Sequence, residues 1–505
     1  MSDPRQTAVI VLAAGEGTRM KSSIPKMLHT IGGRSLLDHA VRAARGISPA
    51  HLEVVVRYER DRVSEHVLSL DDGVIIADQD EIAGTGRAVE CGLQALPADF
   101  AGTVVVTMGD VPLLTADTLA GLVDAHLATH SAATVITATP ADPTGYGRVV
   151  RGIDGAVEAI VEQKDATEAQ RAIQEVNSGL YAFDAVMLRE ALAQVGTDNA
   201  QGEKYLTDVV AIARSRGLAV QAHLIADLWQ TEGVNDKVQL ARLGAELNRR
   251  TVEAAMREGA IVIDPATTWI DADVTIGHDT VVHPGTQIHG ATTIGRDCVI
   301  GPDTTLIDVE VADGASVVRS QVELAVIGPR ATVGPFSYLR PGTRLGAEGK
   351  IGGFVETKNA QIGDGAKVPH LTYCGDATIG EGANIGAGTI FANYDGITKE
   401  HTDVGAYSFV GSNSVIVAPR DIGAGSYVAA GSAVVSDVGP GQLAVTRAAQ
   451  RNIDGWVARR RSGTRTDQAA HQANAAAAEA KLAEQPGAVA PGDDWAAADA
   501  KEAQR

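Results

Sequence analysis

The chain has 505 residues, enough for two or three domains of ordinary size. Its formal net charge of −20 argues against nucleic acids and anionic membranes as partners, although a local cluster of Arg and Lys could still hold a small phosphorylated substrate. Three widely spaced cysteines (Cys91, Cys298, Cys374) match neither a disulfide framework nor zinc spacing and predict a reducing cytoplasm, and the N-terminal apolar run is too short for a signal peptide or a membrane span.

The first half of the chain alternates strand-like and helix-like patterns. Short apolar runs rich in β-branched residues predict strands at Val9–Ala13, Val54–Val56, Val74–Ala77, Val104–Thr107 and Thr134–Ala138. Leu36–Ala44 and Ala116–Ala128 have helical periodicity. The alternation predicts a mainly parallel sheet with helices on both faces, and ligands of such sheets bind at the carboxyl ends of the strands.

A change of pattern follows this region. Between Lys237 and Glu258, aliphatic residues recur at helical spacing among charges, which predicts a connecting helix. A six-residue repeat then runs from about Ile263 to Asp437. It is marked by an aliphatic residue followed by Gly at positions 276, 294, 300, 327, 333, 345, 351, 362, 379, 385, 404, 410 and 422. Such hexads predict a coil of short parallel strands with three hexads to a turn, whereas a sandwich of short strands would not keep this register so long.

The hexad register slips at several places. Three slips coincide with large polar residues, at Lys358, His370–Tyr373 and Asn393–Tyr394, and we interpret these places as loops that carry function. After Trp456 the chain becomes rich in Ala and poor in large apolar residues. This composition predicts a disordered tail that forms helix only transiently.

A glycine-containing segment, Leu12-Ala-Ala-Gly-Glu-Gly-Thr-Arg-Met20, follows the first predicted strand. A lone Gly-x-Gly more often marks a structural turn, and the P-loop spacing is absent. The full string through Pro25 and Lys26 is more specific and resembles the nucleotidyltransferases that join a sugar 1-phosphate to a nucleoside triphosphate. In such a site, backbone N–H groups approach the phosphates, and Arg19 and Lys26 neutralise their charge.

Two oxygen-bearing residues extend this resemblance. Asp110 follows the strand at Val104–Thr107, and Asn235 stands in Glu-Gly-Val-Asn. An isolated Asp at a strand end is more often a cap, but by the resemblance Asp110 and Asn235 bind Mg²⁺, which prefers hard oxygen donors.

Nearly the whole chain except the tail resembles one bacterial family, the bifunctional N-acetylglucosamine-1-phosphate uridyltransferase and glucosamine-1-phosphate N-acetyltransferase. The resemblance implies a Rossmann-like nucleotidyltransferase domain, a connecting helix and a left-handed parallel β-helix of hexapeptide repeats. It implies contacts with UTP and the sugar nucleotide from Leu12, Ala13, Ala14, Gly15, Lys26, Gln79, Gly84, Thr85, Met108, Gly109, Asp110, Gly147, Glu162, Asn177 and Asn235. Among these, the resemblance assigns Gln79, Gly84 and Thr85 to the uracil base, and Gly147, Glu162 and Asn177 to the sugar site. Arg87 departs from the family pattern, which usually has His there.

The resemblance also implies an acetyltransferase site on the coil. His370 matches the catalytic base that takes the proton of the attacking amine, a role suited to an imidazole at neutral pH. Residues matching those that bind the sugar phosphate are Arg340, Lys358, Tyr373, Asn384 and Lys399. Residues matching the acetyl-CoA contacts are Ala387, Asn393, Tyr394, Ser412, Ala430 and Arg447.

Several alternatives remain open on the sequence alone. The coil could be an inert oligomerising rod, and a lone His on such a repeat is usually a surface or packing residue. The protein could be a sugar-nucleotide sensor without turnover, or a metal-dependent hydratase, although the slipped segments offer only His370 as a ligand. Cys374 could carry the acetyl group as a thiolate, but we favour direct transfer and a packed thiol.

The predicted domains are 1–236 for uridyl transfer, 237–258 for the connecting helix, 259–456 for acetyl transfer and 457–505 for the tail. By the resemblance, this cytoplasmic homotrimer acetylates glucosamine 1-phosphate with acetyl-CoA. It then joins N-acetylglucosamine 1-phosphate to UTP with Mg²⁺, releasing pyrophosphate. Its product, UDP-N-acetylglucosamine, feeds peptidoglycan and lipopolysaccharide-type precursors.

Overall fold

A computed structural model describes residues 6–153 and 155–483 of the chain. The chain divides into two compact units, residues 1–446 and 447–505, which are described separately. No helix within the described ranges has both the length and the apolar composition needed to cross a bilayer.

The N-terminal part of the first unit is built on a nine-stranded sheet. Its strands, with a small hairpin (β2–β3), are β1 Thr7–Leu12, β2 Thr30–Ile31, β3 Arg34–Ser35, β4 His51–Val56, β5 Ile75–Asp78, β6 Thr103–Met108, β7 Ala133–Ala138, β8 Arg148–Arg151, β9 Val157–Val161, β10 Val176–Asp184 and β11 Val220–Leu224. The main path runs β11-β7-β10-β6-β1-β4-β5, with β10 antiparallel to both of its neighbours on this path, and β8 and β9 lie off it. The sheet is therefore mixed: the prediction of parallel strands is confirmed for β6-β1-β4-β5 and β7-β11, whereas all pairings of β8, β9 and β10 are antiparallel.

The helices of this part are α1 Leu36–Gly46, α2 Arg60–Leu70, α3 Thr85–Ala95, α4 Ala116–Ala128, α5 Glu168–Arg171, α6 Ala185–Leu192, α7 Asp208–Ser215 and α8 Lys237–Arg257. The central strands are buried on both sides because alternate residues of β1 join different cores: Ile10 packs with α3 and α6, whereas Val9 packs with α1 and α4. Side-chain caps fix helix starts, as when the Ser35 hydroxyl accepts the N–H of Asp38 at 3.0 Å. Because β6, β1, β4 and β5 run parallel to one another, their carboxyl ends lie at one edge of the sheet.

Helix α8 joins the sheet to the coil. Asp236 caps the first turn of this helix. Near the middle of the helix, the side-chain amide of Asn248 donates to the carbonyl of Thr268 and accepts the N–H of Ile270. The β2–β3 hairpin also reaches the first turn of the coil, where Arg34 forms an ion pair with Asp273. These contacts attach the coil to the segment that follows Lys26.

The coil has three faces of stacked parallel strands. The first face consists of Ile261–Val262, Val281–Val282, Val299–Ile300, Ser316–Val317, Thr332–Val333, Lys350–Gly353, Lys367–His370, Asn384–Ile385, Phe409–Val410, Tyr427–Val428 and Leu443–Ala444. The second consists of Trp269–Ile270, Gln287–His289, Thr305–Ile307, Gln321–Glu323, Tyr338–Leu339, the start of Glu356–Ile362, the start of Tyr373–Ile379, Ile390–Ala392, Val415–Val417 and Ala433–Val434.

The third face consists of Thr275–Ile276, Thr293–Ile294, Glu310–Val311, Val326–Ile327, Arg344–Leu345, the ends of the two long strands, Thr402–Val404 and Arg420–Ile422. The inward aliphatic residues of all three faces form one continuous buried core. On each face, a strand pairs with the strand one turn later. The backbone N–H and C=O groups of the strands are therefore hydrogen-bonded along the rod.

Two of the three slips differ from their interpretation as loops. Ile351 pairs with Val368 and Ile362 with Ile379, each 17 residues later, so these turns are one residue shorter than the regular 18. The corners of these short turns have the same left-handed conformation as those of the regular turns, as at Asn359 with φ 46° and Asp297 with φ 57°. Lys358 and Tyr373 consequently lie within strands, and His370 ends one.

The third slip does form a loop. Ile385 pairs with Val410, 25 residues later, and the extra residues leave the coil at Asn393 and return before Thr402. An antiparallel bridge between Tyr394 and Lys399 closes this insertion. The loop prediction was therefore wrong for the first two places and right for the third.

The second unit contains helices at Trp456–Arg460 and Arg465–Ala483, where the composition predicts disorder. The difference has a local reason: Ala has the highest helix propensity, so an Ala-rich segment can be helical without a core of its own. Most of the second helix is exposed. The rest of the predicted tail, 484–505, lies outside the described residues.

Glu53 is a carboxyl group inside the core of the sheet. It stands on β4 between Ile10 and Ile75 of the neighbouring strands, with no exposed surface. Neither of its oxygens has a hydrogen-bond partner among the described residues, and burial raises the pKa of Glu53 to about 8.

We expect this group to make stability pH-dependent. Between about pH 4.5 and 8 the unfolded chain has lost this proton while the folded chain keeps it, so stability falls as pH rises through that window. Glu53→Gln should remove roughly 3 kcal/mol of that fall between pH 5 and pH 8. Thermal unfolding of the full chain at both pH values checks this, with the exposed Glu65→Gln as control; parallel pH profiles for all three proteins would contradict it.

Candidate active sites

A cleft of about 770 Å³ opens at the carboxyl ends of the central strands. Nine of the predicted nucleotide-binding residues line it: Leu12, Ala14, Gly15, Lys26, Gln79, Gly84, Thr85, Met108 and Asp110. Two others support the cleft through the backbone: Ala13 donates its N–H to the carbonyl of Val55, and Gly109 to that of Leu12. Strand ends therefore build this cleft, as expected for a mainly parallel sheet.

The glycine loop leaves β1 and folds over Lys26. Gly17 has φ 68°, and a Cβ at this position would lie 2.6 Å from the Cβ of Lys26. Only glycine fits such an approach without moving the lysine. The loop thereby holds Lys26 against the cleft, where its side chain is 10% exposed.

Two cations and two oxygen donors meet at one end of the cleft. The Lys26 ammonium forms an ion pair with Oδ2 of Asp110 and lies 3.3 Å from Oδ1 of Asn235. The same amide oxygen accepts a hydrogen bond from Arg19 at 2.8 Å. Asp110 and Asn235 are also joined through the chain, since the N–H of Val234 donates to the Asp110 carbonyl at 2.9 Å. Residues far apart in sequence thus form one charged cluster.

The donor set of this cluster fits Mg²⁺. A carboxylate and an amide oxygen converge on a single cationic group, the Lys26 ammonium. Within the described part of the chain, no group of three or more His, Cys, Asp or Glu side chains could hold a metal. Two hard oxygen donors suit Mg²⁺, which keeps water and phosphate in its remaining positions, better than they suit a softer metal.

A second cavity of about 210 Å³ adjoins the cleft and shares Thr85 and Met108 with it. The three predicted sugar-site residues, Gly147, Glu162 and Asn177, all line it. Burial raises the pKa of Glu162, and the nearby Asp165 raises it further. The smaller cavity, which holds the predicted sugar-site residues, therefore lies directly beside the cleft.

Sequence reasoning missed several residues of these walls. The first cleft is also lined by Arg57, Tyr58 and Glu59, directly after β4. The rule that ligands bind at carboxyl ends of strands would have identified them. Tyr146 and Thr207, in the second cavity, follow no such rule, because folding brings them in from separate loops.

On the coil, four of the predicted sugar-phosphate residues cluster around the second face. Lys358 and Tyr373 belong to its two long strands, Arg340 ends the turn before them, and Lys399 stands on the inserted loop. The Lys399 ammonium lies close to that of Lys358, and this second positive charge lowers the pKa of Lys358. Arg340 is held by Glu356 at 3.0 Å.

Asp376 was not identified from the sequence, yet it supports this cluster. It lies near both lysines and accepts hydrogen bonds from the side-chain amides of Asn359 and Asn393. Burial raises its pKa, but these hydrogen bonds and the lysines bring the pKa of Asp376 below its ordinary value. A single carboxylate thus faces two ammonium groups.

The structure divides the remaining predicted residues between the first face and one corner. His370 and Asn384 stand on neighbouring strands of the first face, with the His370 side chain exposed. His370 is fixed by its backbone: its carbonyl accepts the N–H of Gly388 at 3.1 Å and the hydroxyl of Thr372 at 2.7 Å. The corner Leu371–Thr372 separates His370 from Tyr373. His370 on the first face and the lysines beside the second face therefore lie on the two sides of this corner.

Of the predicted acetyl-CoA contacts, three stack along one corner in successive turns. The N–H of Asn413 donates to the carbonyl of Ala387 at 2.8 Å, and the N–H of Gly431 to that of Ser412 at 2.8 Å, which aligns Ala387, Ser412 and Ala430. Tyr394 is 58% exposed on the loop, whereas the Asn393 side chain is buried against Asp376. Arg447 belongs to the second unit, and its contact stays a prediction.

The chain resembles known proteins over both parts. The family model described as a MobA-like NTP transferase domain matches residues 9–212, and the bacterial transferase hexapeptide model matches 273–308. A bifunctional protein GlmU of Corynebacterium efficiens is 56% identical over 92% of this chain and 96% of its own length. Those of Mycolicibacterium vanbaalenii and Pseudarthrobacter chlorophenolicus are 59% and 58% identical, over 91% and 92% of this chain and 94% and 95% of their own.

The chain belongs to the GlmU family of bifunctional proteins. Membership confirms the resemblance drawn from the sequence and the predicted function: this chain is a uridyltransferase and an acetyltransferase of UDP-N-acetylglucosamine synthesis. It excludes the inert rod and the sensor as descriptions of the whole protein. The assignment of single residues to the two GlmU reactions remains a proposal.

Cys374 is a packed residue in the core of the coil. Its side chain has no exposed surface within the coil, and burial raises the pKa of the Cys374 thiol to about 12. A thiol with that pKa supplies almost no thiolate at neutral pH. The geometry therefore favours direct acetyl transfer over a thioester on Cys374.

Proposed function

We propose that residues 1–236 transfer uridylyl from UTP to N-acetylglucosamine 1-phosphate, after residues 259–456 have made that sugar phosphate from glucosamine 1-phosphate and acetyl-CoA. The observation that carries the first assignment is the adjacency of the two cavities, which share Thr85 and Met108. The charged end of the cleft, with Lys26 and Asp110, suits phosphates, and the smaller cavity suits a sugar.

In uridyl transfer, an oxygen of the sugar phosphate attacks the α-phosphorus of UTP and pyrophosphate leaves. No protein nucleophile is needed, because alignment and charge neutralisation lower the barrier. Lys26 and Arg19 neutralise phosphate oxygens at the charged end of the cleft, and Asp110 and Asn235 would hold Mg²⁺. When bound, Mg²⁺ polarises the phosphate that is attacked and offsets the charge that develops on the leaving group.

In acetyl transfer, the amine of glucosamine 1-phosphate attacks the thioester carbonyl of acetyl-CoA. His370 takes the proton from the amine, and coenzyme A leaves as its thiol. Lys358 and Lys399 would bind the sugar phosphate, since a phosphate between them relieves the repulsion that lowers the pKa of Lys358. Ala387, Ser412 and Ala430 would support acetyl-CoA along their common corner.

We further propose that the protein works as a homotrimer in the cytoplasm. The coil exposes large apolar side chains in a row along one corner, where Phe336 and Phe354 stack with ring centroids 5.3 Å apart and Leu371 follows. Such a ridge is typical of a surface that another subunit covers. UTP and acetyl-CoA are cytoplasmic metabolites, and the free cysteines suit a reducing compartment.

A coupled assay of both half-reactions on one purified sample tests the proposal. With acetyl-CoA and glucosamine 1-phosphate, free thiol should appear; on adding UTP and Mg²⁺, pyrophosphate and UDP-N-acetylglucosamine should follow. A folded protein that releases pyrophosphate from UTP and added N-acetylglucosamine 1-phosphate, but no thiol from acetyl-CoA, would contradict the acetyl-transfer assignment. Thiol release without pyrophosphate would contradict the assignment of the first cleft.

A further inference from the structure

A salt-bridge network joins two segments of the chain that line the adjoining cavities. Glu90, on α3, accepts hydrogen bonds from Nη1 of Arg87 at 2.6 Å and from Nζ of Lys204 at 2.9 Å. Arg87 in turn binds Asp80, with Nη2 2.6 Å from Oδ2. Asp80 lies in the loop that connects β5 to α3, and Lys204 lies in the segment before α7. One carboxylate therefore links two separate stretches of chain.

The loop between β5 and α3 carries the residues predicted to contact the base. The side-chain amide of Gln79 donates to the carbonyls of Ile82 and Gly84, at 2.9 and 3.3 Å, and the Asp80 carboxylate accepts the N–H of Ile82. Gly84 has φ 116°, and a Cβ there would lie 2.3 Å from the Lys204 carbonyl oxygen. The shape of this loop thus depends on where Lys204 stands.

Lys204 touches the loop through its backbone as well. Its N–H donates to the carbonyl of Ala83 at 2.9 Å, and its carbonyl accepts the N–H of Gly86 at 2.8 Å. The neighbours of Lys204 form walls on both sides: Glu203 lines the nucleotide cleft, and Leu206 lines the sugar cavity. A shift of this segment would change both pockets together.

Glu90 itself lies outside both cavities. It lines a separate groove between α3 and α6, beside Leu93 and Leu192. The side chains of Glu90, Arg87 and Lys204 are only 24, 19 and 12% exposed, so their interactions are less screened than those of surface pairs. Glu90 therefore connects to the substrate pockets through the side chains that it binds, Arg87 and Lys204.

We propose that Glu90 is a positioning residue that fixes the base-binding loop against the segment lining the sugar cavity, so that the two substrate pockets form together. The inference rests on the proposed uridyl transfer at this cleft. Its consequence is a specific kinetic pattern. Loss of the link weakens binding of both substrates, while the groups that perform the chemistry, Lys26 and Asp110, keep their places.

Glu90→Gln should raise KM for UTP and KM for N-acetylglucosamine 1-phosphate about tenfold each, the effect of losing one charged hydrogen bond. We expect kcat to change less than about twofold. Glu65→Gln, the same substitution at an exposed site on α2, is the matched control and should leave both KM values unchanged. Acetyl transfer by the same Glu90→Gln sample should equal that of wild type.

Lys204→Met removes the hydrogen bond to Glu90 by changing its donor. This second variant keeps the proposal testable if Glu90→Gln fails to fold. It should reproduce the two KM increases, and the double variant should be no worse than either single variant, since all three break one link. Unchanged KM values in Glu90→Gln, or a fall in kcat and thermal stability with KM unchanged, would overturn this inference alone. A wild type that releases no pyrophosphate from UTP would overturn the proposed function as well.

Discussion

Asp110→Asn should abolish most uridyl transfer and leave acetyl transfer intact. The carboxylate stands where Lys26 and Asn235 converge, so its loss removes the negative charge that would hold Mg²⁺ at this cluster. Loss of a group that merely supports a metal ligand costs 10- to 100-fold, so we expect at least about a 100-fold fall in pyrophosphate release.

The measurement is pyrophosphate release with UTP and N-acetylglucosamine 1-phosphate over a Mg²⁺ titration. Partial recovery at high Mg²⁺ is expected, because the Asn oxygen still offers a neutral donor. Asp124→Asn, an exposed carboxylate on α4, is the control and should match wild type. A wild-type rate for Asp110→Asn at saturating Mg²⁺, or an equal loss of both activities, would refute the role of Asp110.

His370→Ala should lose acetyl transfer by roughly 10²- to 10⁴-fold, the usual contribution of a general base. Cys374→Ala should stay within about twofold of wild type, because the thiol is fully buried and its pKa is raised to about 12. The cost of the cysteine substitution should fall on stability, at about 1 kcal/mol for a small core side chain.

Thiol release from acetyl-CoA in the presence of glucosamine 1-phosphate measures both variants. His278→Ala, an exposed histidine near the start of the coil, is the matched control. Pyrophosphate release should be normal in all three proteins, which separates a chemical defect from a folding defect. The reverse order of activities, or an acetylated Cys374 trapped by mass spectrometry, would refute direct transfer.

The two sites differ in how many of their residues could be predicted from the sequence. In the nucleotide site, the predicted residues follow strand ends, and nine of them line the cleft. Strand ends are predictable because the apolar runs that form β1 and β6 are visible in the sequence. The wall formed by Glu203 and Leu206 was not predictable, since its position depends on hydrogen bonds to a loop more than 100 residues earlier.

In the coil, the spacing of the repeat was informative and its irregularities were partly misread. A slip of one residue and an insertion both break the count, and only the three-dimensional pairing separates them. The short turns at Lys358 and His370 keep the strand pairing of the coil, whereas the insertion at Asn393 leaves the coil. The sequence offered no sign of Asp376, whose role arises from stacking between turns.

The sequence by itself determined the architecture and the family of this protein. Periodicity specifies which residues face a core, and the glycine loop with the hexads specifies the two folds, because both are local patterns. Only the tertiary structure decided the contacts that the resemblance did not imply: Asp376 with Asn359 and Asn393 beside the two lysines, and Glu90 with Lys204. These contacts depend on packing between segments that have no fixed spacing along the chain, so no local sequence pattern predicts them.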